Sequence, residues 1–272
     1  MSTSILNLDS RLALARRIGV AAGRHTLRYF QRDNYEVERK GDASPVTIAD
    51  KEAEQLLRQE IAAAFPDDGI LGEEFGEVAG SSGYRWILDP IDGTKSFISG
   101  VPLYGTMIGV EYDGRAVLGL VYLPGLDEGV YASQGAGCWH WRGAASPTSA
   151  HVSTRRTLSE GALVISQLDS FAQRGASQAY LELEQAASIT RTWGDCYGYL
   201  LVATGRVEVM IDPIMNVWDA AAIQPIMEEA GGTFTNWSGQ ATIHAGEGIG
   251  TNGHVLEEVL VITRRFPANP QA

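Results

Sequence analysis

The sequence predicts a layered α/β or α+β protein. Helical and strand periodicities alternate through both halves of the chain. Hydrophobic residues make up 44% of the 272 residues, an ordinary globular share that excludes a disordered chain. The length suits one large domain or two smaller ones that share a core.

The first expected element is an amphipathic helix over 9–31, capped by Asp9 or Ser10, with Leu12, Ala15, Ile18, Ala22 and Leu27 at helical spacing. A polar passage over 35–47 reads as a short strand and a loop ending at Thr47-Ile48-Ala49-Asp50. A second helix, 50–65, carries Ala53, Leu56, Leu57 and Ile61 on one face. Residues 70–74 read as a short strand ending in acids, and 85–89 as a buried strand. Apolar or alternating runs at 105–112, 116–123 and 129–133 make an antiparallel meander, with a hairpin turn at Tyr112-Asp113-Gly114-Arg115.

The break at 139–147, rich in small residues, places a soft boundary near Arg142. It separates an N-terminal half, 1–141, from a C-terminal half, 142–272. The second half reads as strand 162–166, helix 171–184, strand 188–192 and a helix after Trp193-Gly194-Asp195-Cys196 running to about 204. Gly205 is its C-cap. Strand 207–211 follows, ended by Asp212-Pro213. Val217-Trp218-Asp219 then opens a helix over 220–230, followed by short strands at 233–235 and 248–251 and a last helix at 254–263.

The net charge is −12. Such a chain is poorly suited to nucleic-acid backbone or anionic membranes and well suited to collecting cations. The two cysteines, Cys138 and Cys196, are far apart and form no disulfide framework or zinc motif. No apolar stretch approaches the about 20 residues of a membrane helix, and the start of the chain lacks a signal peptide's apolar core. A soluble cytoplasmic protein is expected.

The chemistry gathers in Trp86-Ile87-Leu88-Asp89-Pro90-Ile91-Asp92-Gly93-Thr94. An apolar strand runs into two carboxylates three positions apart. Pro90, with no N–H to donate, is expected to stop the ladder. Gly93 lets the backbone approach a ligand, and Thr94 can cap a following helix whose N–H groups would take an anion. Asp-x-x-Asp alone also fits a plain turn, but its place at a strand end suits ligands. Glu73, Asp89, Asp92 and Asp219 all sit at strand ends or helix starts. Asp219 taken singly reads as an N-cap, and Glu73 as a solvated loop acid. Acids converging from separate segments would repel one another, a cost that oxygen-liganded Mg²⁺ would remove.

With these segments in view, the chain resembles the inositol monophosphatase superfamily of Mg²⁺-dependent, Li⁺-sensitive phosphatases. Gly72-Glu73-Glu74, the stretch from Trp86 to Thr94, and Trp218-Asp219-Ala220-Ala221 with Glu229-Ala230-Gly231-Gly232 are similar to its three motifs, in order. Thr47 to Asp50 and Lys40-Gly41-Asp42 extend the likeness to nearly the whole chain. The resemblance implies a layered α-β-α-β-α sandwich of the inositol monophosphatase / fructose-1,6-bisphosphatase type, usually a homodimer, with two or three Mg²⁺ per site. It implies that Glu73, Asp89 and the Ile91 carbonyl hold the first ion, and Asp89, Asp92 and Asp219 the second. Glu73 and Thr94 would position and deprotonate water, Asp50 would orient Thr94, and the amides of Gly93 and Thr94 would take the phosphate. That is the usual chemistry of metal-assisted attack on a phosphate monoester.

The chain departs from many members at Lys95-Ser96-Phe97, at Phe75-Gly76 and at Ile223. These departures leave the ligands in place and point away from inositol. Together with the segment from Arg191 to Gly198, they look like the histidinol-phosphate phosphatase branch, which acts in histidine biosynthesis. Histidinol phosphate carries an ammonium and an imidazole, for which Asp195, with Asp212 nearby, is the expected partner, while Arg191, placed with them among the substrate-binding residues, orders the segment. Asp195 reads equally as a helix N-cap, and Trp193 and Tyr197 read as core. The five histidines show no ligand spacing. The alternatives are an inositol-1-phosphate or broad sugar-phosphate phosphatase, and, in another class, a non-catalytic metal-dependent binding protein.

Overall fold

The computed structural model describes residues 8–32, 37–39 and 45–267, so Lys40-Gly41-Asp42 lies outside the described residues. Two helices open the fold, α1 (Leu8–Thr26) and, after an antiparallel ribbon of β1 (Val37–Arg39) and β2 (Pro45–Thr47), α2 (Ile48–Ala64). Leu14, Ala15, Ile18 and Ala22 of α1, and Ala53, Leu57 and Ile61 of α2, are buried as one stripe on each helix. α1 stops short of residue 31. The Thr26 hydroxyl donates to the Gly23 carbonyl at 2.7 Å, and the chain then tightens, Arg28 N–H bonding to His25 O at 3.1 Å. Leu27 therefore falls outside the helix and is exposed rather than core.

The first sheet is built from β3 (Gly69–Gly72), β4 (Gly76–Val78), β5 (Tyr84–Asp92) and, beyond the short α3 (Thr94–Ile98), β6 (Gly105–Tyr112), β7 (Arg115–Leu123), β8 (Glu128–Ser133), β9 (Cys138–Arg142) and β10 (Thr148–Ser149). Their spatial order is β10-β9-β8-β7-β6-β5-β3-β4. β3 and β5 run parallel, and the other neighbours are antiparallel. The β6–β7 hairpin turns through Asp113 and Gly114, at φ 47° and 79°, the left-handed pair a type I′ turn requires.

The second half supplies β11 (Ala162–Ile165), α4 (Asp169–Gln173), α5 (Ser177–Ala186), β12 (Ile189–Arg191), α6 (Cys196–Ala203), β13 (Val209–Asp212), α7 (Val217–Ala221), α8 (Ile223–Glu229), β14 (Thr233–Thr235), β15 (Gly248–Thr251) and α9 (Leu256–Thr263). The strand order is β12-β11-β13-β15-β14, with β11 parallel to both its neighbours. Two expected helices are each divided. Gly175, at φ 76°, ends α4, with the Ala176 N–H returning to Phe171 O. Pro225 has no N–H for the Ala221 carbonyl, and the chain breaks between α7 and α8.

Among the described residues, three of the hydrophobic cores lie between the five layers, one of them on both faces of the central layer. Trp86, Leu88 and Ile108 face α1 and α2. Ile87, Met107 and Val121 face the central layer of α6, α7 and α8, together with Val164 and Met210 of the second sheet. Leu163, Ile165 and Ile211 face α4, α5 and α9. Alternation along β5, with Trp86 and Leu88 on one side and Ile87 on the other, is the period-2 signature that lets one strand serve two cores. The α-β-α-β-α sandwich is thus observed.

Candidate active site

Pro90 does not end β5. The strand continues to Asp92, and its register against β6 shifts: Asp89 pairs with Met107 and Asp92 with Gly105. Two residues, Pro90 and Ile91, oppose Thr106 alone, which makes a β-bulge. The missing N–H of Pro90 falls in the bulge, and its carbonyl accepts the Thr106 hydroxyl at 2.8 Å. The bulge has a chemical consequence. In a regular strand, residues three apart point to opposite faces. One extra residue brings Asp89 and Asp92 to the same side.

Asp219 reaches them from the central layer. A Cβ on Gly109 would lie 2.6 Å from the Ala221 backbone, and one on Gly119 would lie 2.0 Å from the Ala222 carbonyl oxygen. These glycines are cross-strand partners on β6 and β7. Lacking side chains, they let the α7–α8 junction rest directly on the sheet, which carries Asp219 to the end of β5. Asp89, Asp92 and Asp219 each offer a ligand oxygen, all within 4.8 Å of one another.

The cleft above this cluster has a volume of about 220 Å³ and is lined by Glu73, Asp92, Gly93, Thr94, Asp195, Asp212 and Asp219 among others. The first sheet's end and α7 form one wall, and the second sheet's loops form the other. Asp195 does not cap α6; its side chain makes no capping bond. That role falls to Asp92, whose Oδ2 accepts the Cys196 N–H at 2.5 Å. The Asp195 carboxylate lies against Gly93 instead, where a Cβ would be 2.7 Å from its Oδ2. Gly93 is also held at φ 84°, a second reason for glycine there. Asp212 is buried and accepts the Ser166 hydroxyl.

Burial first, then the charges of Glu73, Asp92 and Asp219, holds the Asp89 carboxyl well above the usual carboxylate range. Burial, followed by Asp195 and Asp219, does the same to Asp92. Burial pushes Asp219 up to about 7 against the Asn216 N–H, which donates to its Oδ2 at 2.6 Å. Burial and the Asp195 charge push Asp212 up to about 7, opposed by Ser166. Three converging carboxylates with this excess proton affinity are an oxygen donor set suited to a hard divalent cation. Glu73 adds a further acid to the cleft, and its charge acts on Asp89 and Asp219.

Other expected residues are placed differently. Asp50 is buried beside α2's start, and burial pushes it up to about 6. Its Oδ2 accepts the Thr47 N–H at 2.8 Å and the Thr47 hydroxyl at 2.6 Å, while the Thr94 hydroxyl donates to the Ile91 carbonyl at 3.1 Å. Asp50 and Thr94 therefore each have another partner. Arg191 is not among the residues lining the cleft. It is exposed on β12, donates to the Thr190 carbonyl at 2.7 Å and lies 6.0 Å from the Trp193 ring. Trp193, two residues past the edge strand β12, is 41% exposed, not core. Tyr197 packs partly against the central core as expected. The sequence reading missed Lys95, Ser166 and Gln167. Lys95 Nζ crosses the cleft mouth to Gln167 Oε1 at 2.5 Å. Lys95 carried a signal, its departure at the central motif; Ser166 and Gln167 carried none.

Residues 7–266 match the inositol monophosphatase family. The chain belongs to that family. Inositol monophosphatase-family members are metal-dependent phosphatases, generally with Mg²⁺, and the chain is a phosphatase. It is 42% identical over 250 residues to a protein named Histidinol-phosphatase from Chlorobaculum parvum, covering 92% of this chain and 95% of that one. Another protein of that name, from Streptomyces coelicolor, is 38% identical, with 92% and 95% covered. Among solved structures, the extragenic suppressor protein suhB from Bartonella henselae superposes with a TM-score of 0.86 at 27% identity, covering 94% of this chain and 99% of that one. No helix among the described residues is long and apolar enough to cross a membrane.

Proposed function

We propose that this inositol monophosphatase-family enzyme hydrolyses L-histidinol phosphate to L-histidinol and phosphate, as a step of histidine biosynthesis. The observation that carries the reading is the Asp195 carboxylate, placed against Gly93 inside the cleft instead of on the helix it precedes. With Asp212 behind it, the far wall offers two acids to a cationic leaving group. A neutral polyol, whose hydroxyls can be met by uncharged acceptors, gives less reason for two acids than an ammonium does. The relatives' names point the same way.

Glu73, Asp89, Asp92, Asp219 and the Ile91 carbonyl would hold two or three Mg²⁺, which supply positive charge and Lewis acidity to a phosphate dianion that the acidic cleft would otherwise repel. The N–H groups of Gly93 and Thr94 face the phosphoryl oxygens. Glu73 takes a proton from the attacking water, and the Thr94 hydroxyl, donating to Ile91, offers its lone pairs to that water. The oxygen of water bonds to phosphorus as the ester P–O bond breaks, and the proton held by Glu73 is returned through solvent water to the leaving alkoxide. A homodimer with a cytoplasmic role is the assembly we attach to this reading; sedimentation at micromolar concentration tests it.

The test of substrate is phosphate release with Mg²⁺ from L-histidinol phosphate, inositol 1-phosphate, fructose 1,6-bisphosphate and 3′-phosphoadenosine 5′-phosphate. The highest kcat/KM is expected for L-histidinol phosphate. A preference for inositol 1-phosphate would replace this reading with the inositol one.

A further inference from the structure

Glu73 stands at the end of β3, at the start of a tight turn into β4, and its aim depends on that turn. The turn is gripped by α2. Glu54 is completely buried. Its Oε2 accepts the Glu74 N–H at 2.8 Å, and its Oε1 accepts the Phe75 N–H at 3.2 Å and Arg58 Nε at 2.7 Å. Arg58, one helical turn further on, also donates to the Gly76 carbonyl and lies 5.9 Å from the Phe75 ring. From the other side, the N–H of Glu73 itself bonds to the Leu88 carbonyl of β5 at 3.2 Å. Glu73 is thus bracketed by a β-sheet bond at its own amide and by a buried carboxylate at the next two.

Gly72 belongs to the same device. A Cβ at position 72 would sit 2.0 Å from Glu54 Oε1 and 2.4 Å from its carboxyl carbon. The glycine that opens the Gly-Glu-Glu motif is there to leave room for the Glu54 carboxylate. A buried ion pair is weak support for stability, because desolvating both charges offsets their attraction. The geometry here is more specific than stability requires. Nearly every hydrogen bond of the Glu54–Arg58 pair is spent on the three residues after Glu73.

We propose that Glu54 is a positioning residue for the divalent cation: by fixing the turn at 74–76 it aims Glu73 into the cleft. Groups that orient a ligand from behind commonly change metal affinity or activity by about 10–100-fold when lost. This inference rests on the metal reading of the cleft.

The test is Mg²⁺ binding to wild type, Glu54→Gln, Gly72→Ala and the double variant. It is read by calorimetry and by the Mg²⁺-induced rise in Tm, with Tm in EDTA reporting the fold. Gln offers one acceptor and an NH₂ where two acceptors are needed, and Ala at 72 displaces the carboxylate from the opposite side. Each single variant should raise the Mg²⁺ Kd by about tenfold or more. Because both changes break one contact, the double variant should bind Mg²⁺ no more weakly than the worse single. A Kd within about twofold of wild type in the single variants, whatever the Tm in EDTA, or multiplicative losses in the double, overturns the proposal. If Glu54→Gln does not fold, Glu54→Asp, too short to reach both amides, carries the same comparison with Gly72→Ala. A wild-type protein that binds no Mg²⁺ would instead overturn the metal reading itself.

Discussion

The two walls of the cleft are built in different ways. The wall made by Glu73, Asp92 and Asp219, with Asp89 buried beneath it, comes from three short segments: a turn gripped from behind by Glu54 and Arg58, a bulge, and a helix laid on glycines. The opposite wall, with Ser166, Gln167, Asp195 and Asp212, comes from the ends of β11 and β13 and the start of α6. It is held by side chains, Ser166 on Asp212 and Lys95 on Gln167. A reaction shared by every phosphate ester needs the first wall unchanged. A choice among leaving groups needs only the second, and side-chain contacts can change without disturbing the backbone that carries the chemistry.

Substitutions that break the first wall should have the largest effects, on all substrates alike. Asp89→Asn removes the carboxylate at the centre of the cluster and should abolish turnover. Because it also relieves repulsion among buried acids, Tm in EDTA should hold or rise. Phosphate release and thermal melts check both halves, and wild-type activity at limiting Mg²⁺ would contradict the ligand assignment. Glu73→Gln keeps a neutral oxygen and loses the base. A fall in kcat of about a hundredfold or more is expected, with a smaller change in KM. A change confined to KM would move Glu73 from the reaction to binding.

The comparison sharpens with pH. Asp212 and Asp219, pushed from 3.8 up to about 7, bind protons more tightly in the folded chain than in the unfolded one. Their contribution to stability is fully present below the unfolded value and is lost as pH rises through the folded one. In EDTA, Asp212→Asn should therefore raise Tm most at about pH 8, by clearly less at about pH 5, and little below about pH 4. Equal shifts across that range would contradict the burial argument. Mg²⁺ should stabilise the wild type most at the higher pH, where the carboxylates are ionised. The smallest effect is expected for Arg191→Ala. Its guanidinium is exposed and bonded to its own strand, so kcat/KM should stay within about 0.5 kcal/mol of wild type. A tenfold loss would return Arg191 to the substrate contacts.

The first wall was legible in the sequence because its chemistry is local. Asp89, Asp92, Gly93 and Thr94 are neighbours along the chain, and Trp218-Asp219 lies in a recognisable motif. The bulge was not legible. Pro90 reads as a strand stop, and only the register against β6 shows that the missing donor coincides with a residue that needs none. Arg191 and Trp193 were misplaced for a related reason. Sequence gives their proximity to Asp195 but not that Arg191 lies exposed on the edge strand β12 and that Trp193, just past it, is left open to solvent. Ser166 and Gln167 were invisible because nothing about a serine and a glutamine after a buried strand marks them until β13 brings Asp212 alongside. Asp195 left two readings open, and a contact far along the chain removes one of them: Asp92 caps α6, and Asp195 lines the cleft, where its part in binding substrate is a proposal.

The measurement that bears most directly on the account is kcat/KM for L-histidinol phosphate and for inositol 1-phosphate, in wild type and in Asp195→Asn. The cation-selecting wall predicts a loss of about 1.5–3 kcal/mol for L-histidinol phosphate, the range for a hydrogen bond to a charged group, and almost none for inositol 1-phosphate. Equal losses on both substrates would show that Asp195 supports the cleft without reading the leaving group, and would contradict the division of labour between the walls.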